Sequence, residues 1–131
     1  MSQSNKNLVF VYGTLRRSGF YNHLLKDSEF LGQALSCRKF GMFVNEYPFV
    51  TPFVEHTEIV GEVYEVDVSA LQALDRLEGH PEHYRRCQTR FVLANSKEIE
   101  AFIYLYPGQE RDMLLIGPEV LNGDYINPRY S

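Results

Sequence analysis

The chain has 131 residues, 44% of them hydrophobic and 14% aromatic, with a net charge of −4 and a pI near 5.5. That length suits one hydrophobic core, and a charged share of 23% with ordinary apolar content excludes wholesale disorder. Apolar runs such as Leu8 to Tyr12 are far short of the roughly 20 residues a membrane helix needs. The polar first seven residues hold no signal-peptide core, so a cytoplasmic protein is expected; the short apolar runs argue against a membrane partner and the mild acidity against a nucleic-acid one.

Periodicity predicts mostly strands within a single 1–131 domain, with a polar 1–7 tail and an irregular 107–131 segment. Leu8–Tyr12 reads as a strand buried on both faces and closed by Gly13. A short helix is expected over Phe20–Leu25, then strands over Phe30–Leu35 and Arg38–Val44. Pro48 and Pro52 reduce Tyr47–Thr51 to an extended edge or loop. Val60–Val66 reads as a strand whose Gly61 marks either a bulge or a close backbone approach. Ser69 and Gln72 form a capping box for a helix with Leu71, Leu74 and Leu77 along one face, ended by Gly79 and Pro81. Arg85–Leu93 and Ile99–Tyr106 form a hairpin about a polar turn, and a short helix is expected near Met113. The fold class is α+β, with a strand-rich, barrel-like core.

Cys37 and Cys87 each alternate with apolar or β-branched neighbours and read as small buried hydrophobes. No metal site is expected, because His80-Pro81-Glu82-His83 lacks partner ligands and reads as a polar loop with two solvated imidazoles.

Glu78 breaks the helix pattern. At about 100° per residue it falls near 340°, between Leu71 at 0° and Leu74 at about 300°, within the apolar face. It also sits in the last turn, where the helix dipole disfavours an anion. Burial and dipole together would raise its pKa, as a base working near neutral pH requires. The other reading is a frayed last turn whose Glu78 meets water or pairs with Arg85 or Arg86.

The loop after the first strand, Tyr12-Gly13-Thr14-Leu15-Arg16-Arg17, is the second candidate. A strand ending in a glycine turn directs several backbone N–H groups one way, and a hydroxyl with two guanidinium groups nearby would suit a carboxylate. It could equally be an ordinary turn, and it matches no phosphate-loop pattern.

Taken together, Phe10-Val11-Tyr12-Gly13-Thr14-Leu15, Gly61-Glu62-Val63-Tyr64, Leu74-Asp75-Arg76-Leu77-Glu78-Gly79 and Tyr84-Arg85-Arg86 resemble the γ-glutamylcyclotransferase-like superfamily. They are most similar to its γ-glutamylamine cyclotransferase (AIG2-like) branch. Asn127-Pro128-Arg129 is similar to a tail segment of that branch. The resemblance implies a small mixed β-barrel flanked by short helices, and a small-molecule γ-glutamyl substrate cleaved to 5-oxoproline and an amine without any cofactor. It places the substrate's α-carboxylate on Tyr12, Gly13, Thr14 and Leu15, and the acid/base role on Glu78. The 36–58 region would line the leaving-group side. Asp75 reads as either an orienting group or a surface acid, and Tyr84, Tyr104 and Tyr125 as hydroxyl donors. A non-catalytic carboxylate-binding module, or removal of a γ-glutamyl protecting group from a larger metabolite, would use the same residues. Oligomeric state stays open.

Overall fold

The structure, a computed structural model, describes residues 6–17, 19–44, 47–106 and 117–130. Seven strands and one α-helix follow in the order β1 (Lys6–Val11), β2 (Glu29–Ser36), β3 (Gly41–Val44), β4 (Pro48–Thr51), β5 (Val60–Asp67), α1 (Val68–Glu78), β6 (Arg85–Leu93) and β7 (Glu98–Leu105). Five of them close into a barrel in the order β1-β5-β2-β6-β7, while β3 and β4 form a separate two-stranded sheet. The seam between β7 and β1 is the parallel pair, with Val9 opposite Phe102. The other barrel contacts are antiparallel. The small mixed barrel is thus present, though only one α-helix and a 3-10 turn at Asn22–Leu25 flank it among the described residues.

The apolar run of β1 explains why it can join both layers. Successive side chains alternate, so Phe10 enters the barrel interior with Phe40, Met42, Phe91 and Ile103. Val9 and Val11 face outward beneath α1, beside Leu71, Leu74 and Tyr104. Phe10 stacks on Phe91 with centroids 4.1 Å apart, which fills the barrel centre. Gly61 on β5 is a close approach, for a Cβ there would lie 2.3 Å from the Val11 carbonyl. The bulge lies instead on β2, where the register shifts between Phe30 and Gly32.

Several sequence expectations are corrected. The α1 N-cap is Asp67, not Ser69: its extended backbone lets the carboxylate accept from the Ala70 N–H at 2.8 Å. Strand β3 begins only at Gly41, because Phe40 bridges to Thr57; Tyr47–Thr51 is extended as expected, with Pro48–Thr51 pairing to β3 as β4. Strand β1 starts at Lys6, inside the expected polar tail. Cys37 is exposed, because it lies in the bend just after β2. Cys87 is only half-buried, packed against the interior cluster near the start of β6. The helix expected near Met113 lies outside the described residues.

Candidate active site

Helix α1 places Glu78 by the way it ends. Gly79 adopts a left-handed φ of +69° that caps the helix, its N–H donating to the carbonyls of Arg76 and Asp75. The chain then turns back: the Gly79 carbonyl accepts from the His83 N–H at 2.8 Å and the Glu78 carbonyl from the Tyr84 N–H at 3.1 Å. The last turn is therefore held rather than frayed. Glu78 lines a cavity of about 190 Å³ between α1, the loop after β1 and the start of β4. Arg86 does not pair with it, since its Nε lies 3.3 Å from Asp75 and its guanidinium stacks 4.7 Å from the Phe102 ring centre. Arg85 is exposed. Burial alone pushes the Glu78 carboxyl up to about 7.

The loop faces Glu78 from the other side, and Tyr12, Gly13, Thr14 and Leu15 all line the same cavity. Three contacts shape it. The Gly13 carbonyl accepts from the Arg16 N–H at 3.0 Å, and the Thr14 carbonyl from the Tyr21 N–H at 2.8 Å. The Leu15 carbonyl accepts from Asn22 Nδ2 at 2.9 Å. With these carbonyls engaged, the N–H groups of Gly13, Thr14 and Leu15 donate to no other backbone group among the described residues. Gly13 is needed for approach, because a Cβ would fall 2.7 Å from the Pro48 ring. The two expected guanidinium groups are not in the cavity. Arg16 is buried on the far side of the loop, paired with Glu62 and Asp124, and Arg17 stacks over Phe30.

The tyrosines divide. Tyr12 donates to the Tyr104 carbonyl at 2.6 Å and so ties the end of β1 to β7. Tyr84 donates to the Pro48 carbonyl at 3.1 Å, and Tyr104 to Asp75 at 2.7 Å. Burial is the main cause holding all three phenols well above their ordinary range, with Glu78 adding to it. Tyr84 and Tyr104 reach the cavity, and Asp75 orients Tyr104. Tyr125 packs against the barrel core instead, so it is not brought to the site. His80 is no solvated imidazole: half-buried, its Nδ1 accepts from the Arg86 N–H at 3.0 Å. Among the described residues, no group of three or more His, Cys, Asp or Glu side chains is placed to hold a metal.

Sequence reasoning missed Tyr21, Leu77 and His83 as cavity-lining residues. Leu77 was assigned to the buried stripe, yet it is 36% exposed because it sits at the cavity's edge. Tyr47 and Pro48 also line the cavity, in the region expected on the leaving-group side.

The sequence and fold have counterparts among known proteins. The family profile "Gamma-glutamyl cyclotransferase, AIG2-like" matches residues 9–127. A Methanocaldococcus jannaschii protein named "Putative gamma-glutamylcyclotransferase" is 46% identical over 92% of this chain and 97% of its own. The human gamma-glutamylaminecyclotransferase is 34% identical over 69% of this chain and 65% of that protein. In shape, the barrel matches the crystal structure of a mouse AIG2-like protein with a TM-score of 0.80 at 22% identity, covering 98% of this chain and 97% of that one. With a family match running from β1 through the helix that carries Glu78 and on into the tail, the chain belongs to the AIG2-like gamma-glutamyl cyclotransferase family.

Proposed function

We propose that this protein is a γ-glutamyl cyclotransferase that converts a γ-glutamyl amide into 5-oxoproline and a free amine, with Glu78 moving the proton. The observation that carries this reading is the pairing across one small cavity of a buried carboxyl near neutral pKa with a loop of unengaged backbone N–H groups. Family membership and the names of the relatives support the same reaction class.

The reaction needs no protein nucleophile. The substrate's own α-amine attacks its γ-carbonyl carbon, forming the ring C–N bond while the amide C–N bond breaks. The reactants and products are isomeric, so no water is consumed. Holding the glutamyl chain curled makes the attack intramolecular, and effective molarities in such reactions reach roughly 10⁵–10⁸ M. The N–H groups of Gly13, Thr14 and Leu15 suit the substrate α-carboxylate by dipole and hydrogen bond, in a cavity whose described lining holds no arginine or lysine.

An α-amine must lose a proton before it attacks, and the departing amine must gain one. An ordinary glutamate titrates near ~4.3 and an α-amine near ~8, a gap too wide for efficient transfer. Burial of Glu78 closes most of it. Glu78 takes the proton from the α-ammonium and returns it to the leaving nitrogen. Tyr47, Pro48 and His83 line the side open to the leaving amine, and Asp75 keeps Tyr104 fixed beside Glu78.

The test is to incubate the protein with γ-glutamyl-lysine isopeptide, γ-glutamyl amino acids and glutathione, and to quantify 5-oxoproline. Release from at least one, abolished in Glu78→Gln, is the expected result. No release from any of them, with thermal stabilisation by glutamate or 5-oxoproline, would point instead to a carboxylate-binding module.

A further inference from the structure

Beneath the loop, on the face turned away from the cavity, lies a buried ionic cluster that the reaction itself does not use. Arg16 is 3% exposed and Glu62 5%. Arg16 Nε lies 3.4 Å from Glu62 Oε2, and Arg16 Nη1 lies 2.9 Å from Asp124 Oδ1. The other Glu62 oxygen accepts from the Arg17 N–H at 2.8 Å and from the Tyr64 hydroxyl at 3.3 Å. Tyr64 in turn accepts from Asn22 Nδ2 at 3.1 Å, the same amide that donates to the Leu15 carbonyl. Asp124 Oδ1 also accepts the N–H groups of Ile126 and Asn127.

The loop is therefore gripped at three consecutive residues from one side: the Leu15 carbonyl, the Arg16 side chain and the Arg17 N–H. Two of those grips meet on Glu62, a residue of rigid β5. Holding the Leu15 carbonyl directs the Arg16 N–H of the same peptide at the Gly13 carbonyl. That bond in turn sets the Thr14 N–H, which shares a peptide plane with the Gly13 carbonyl. A loop free to turn those peptides would have to order itself on each binding event, at a cost in affinity.

We propose that Arg16 and Glu62 are positioning residues that pre-set the N–H groups of residues 13–15 for the substrate carboxylate. This rests on the loop's role in the proposed function. It predicts an effect on substrate affinity, not on the proton transfer at Glu78.

Glu62→Gln is the sharp variant. It keeps the shape of the side chain but offers an acceptor on one side only, so it cannot serve both the Arg16 guanidinium and the Arg17 N–H. Arg16→Lys keeps the charge but loses the fork that spans Glu62 and Asp124, and it carries the same test where Glu62→Gln folds poorly. In either variant, KM for the γ-glutamyl substrate is expected to rise about tenfold with kcat within threefold of wild type. Glu98→Gln, which breaks the exposed Arg90–Glu98 pair, should leave both constants unchanged. A kcat loss with KM unmoved would overturn the proposal, since it would mark a smaller active fraction and no change in the loop. Amide hydrogen exchange of Arg16 and Arg17, whose N–H groups are bonded to the Gly13 carbonyl and to Glu62, gives a readout independent of turnover. It should quicken in Glu62→Gln while α1 stays protected, and unchanged protection would overturn the proposal even if the wild type releases no 5-oxoproline.

Discussion

Two glutamates, the buried Glu62 and the half-buried Glu78, are treated in opposite ways. Glu62 on β5 is surrounded by a guanidinium, a backbone N–H and a phenol. Glu78 at the end of α1 lines an apolar cavity, and burial drives its pKa up to about 7. Burying a charge is costly unless partners replace the lost water, and an unpartnered carboxyl responds by holding its proton. The partnered acid thus fixes shape, whereas the other is left able to exchange a proton near neutrality. The difference lies in what the fold supplies around each carboxyl.

The largest test removes the exchangeable proton. Glu78→Gln should lower kcat for 5-oxoproline release by about 10²–10⁴-fold, the usual span for a positioned acid or base, with the fold intact by circular dichroism. The matching change at the partnered acid should appear in folding. Glu62→Gln leaves Arg16 with Asp124 as its counter-charge but weakens its second contact, and urea unfolding should show a loss of about 1–3 kcal/mol.

The pH dependence separates the two further. The unfolded chain releases the Glu78 proton near 4.5 and the folded chain near 7. The extra stability from the bound proton is complete below the lower value and is lost as pH rises through the window. The total loss is roughly 3 kcal/mol, levelling off above 7. Urea midpoints in Glu78→Gln should lack this decline. Over the same window kcat/KM should rise in the wild type, because only the ionised carboxylate can accept a proton. The smallest test concerns the far end of the helix that carries Glu78. Asp67→Ala should cost about 1 kcal/mol in thermal unfolding, and Ser69→Ala only a few tenths.

That last pair marks where the sequence was hard to read. Ser69 and Gln72 match the capping pattern, but Asp67 precedes them at the end of β5 and reaches Ala70 first. Local patterns could not rank two caps whose choice depends on where the strand stops. Glu78 was readable because helical periodicity is local: eight residues suffice to put it between Leu71 and Leu74. Strand β1 was readable for the same reason. Arg16 was not, because its partners lie 46 and 108 positions away, and nothing nearby shows the side chain turning inward. Tyr125 was misplaced on similar grounds, since a hydroxyl near a proline-rich tail gives no sign of which face the tail covers. Barrel closure belongs to the same class, because no local signal pairs Val9 with Phe102.

That seam also governs when the site comes into being. β1 and its loop precede the other barrel strands in the chain, but the strand that completes β1's second edge is the last of the barrel. Tyr12 finds its acceptor, the Tyr104 carbonyl, only on that strand. A nascent chain halted after α1 would carry both Glu78 and the glycine loop but lack His83, Tyr84 and Tyr104 from the pocket wall. Such distant pairing makes for slow folding and leaves a strand edge open meanwhile. The proposed chemistry thus waits on a strand that lies 92 positions beyond Tyr12.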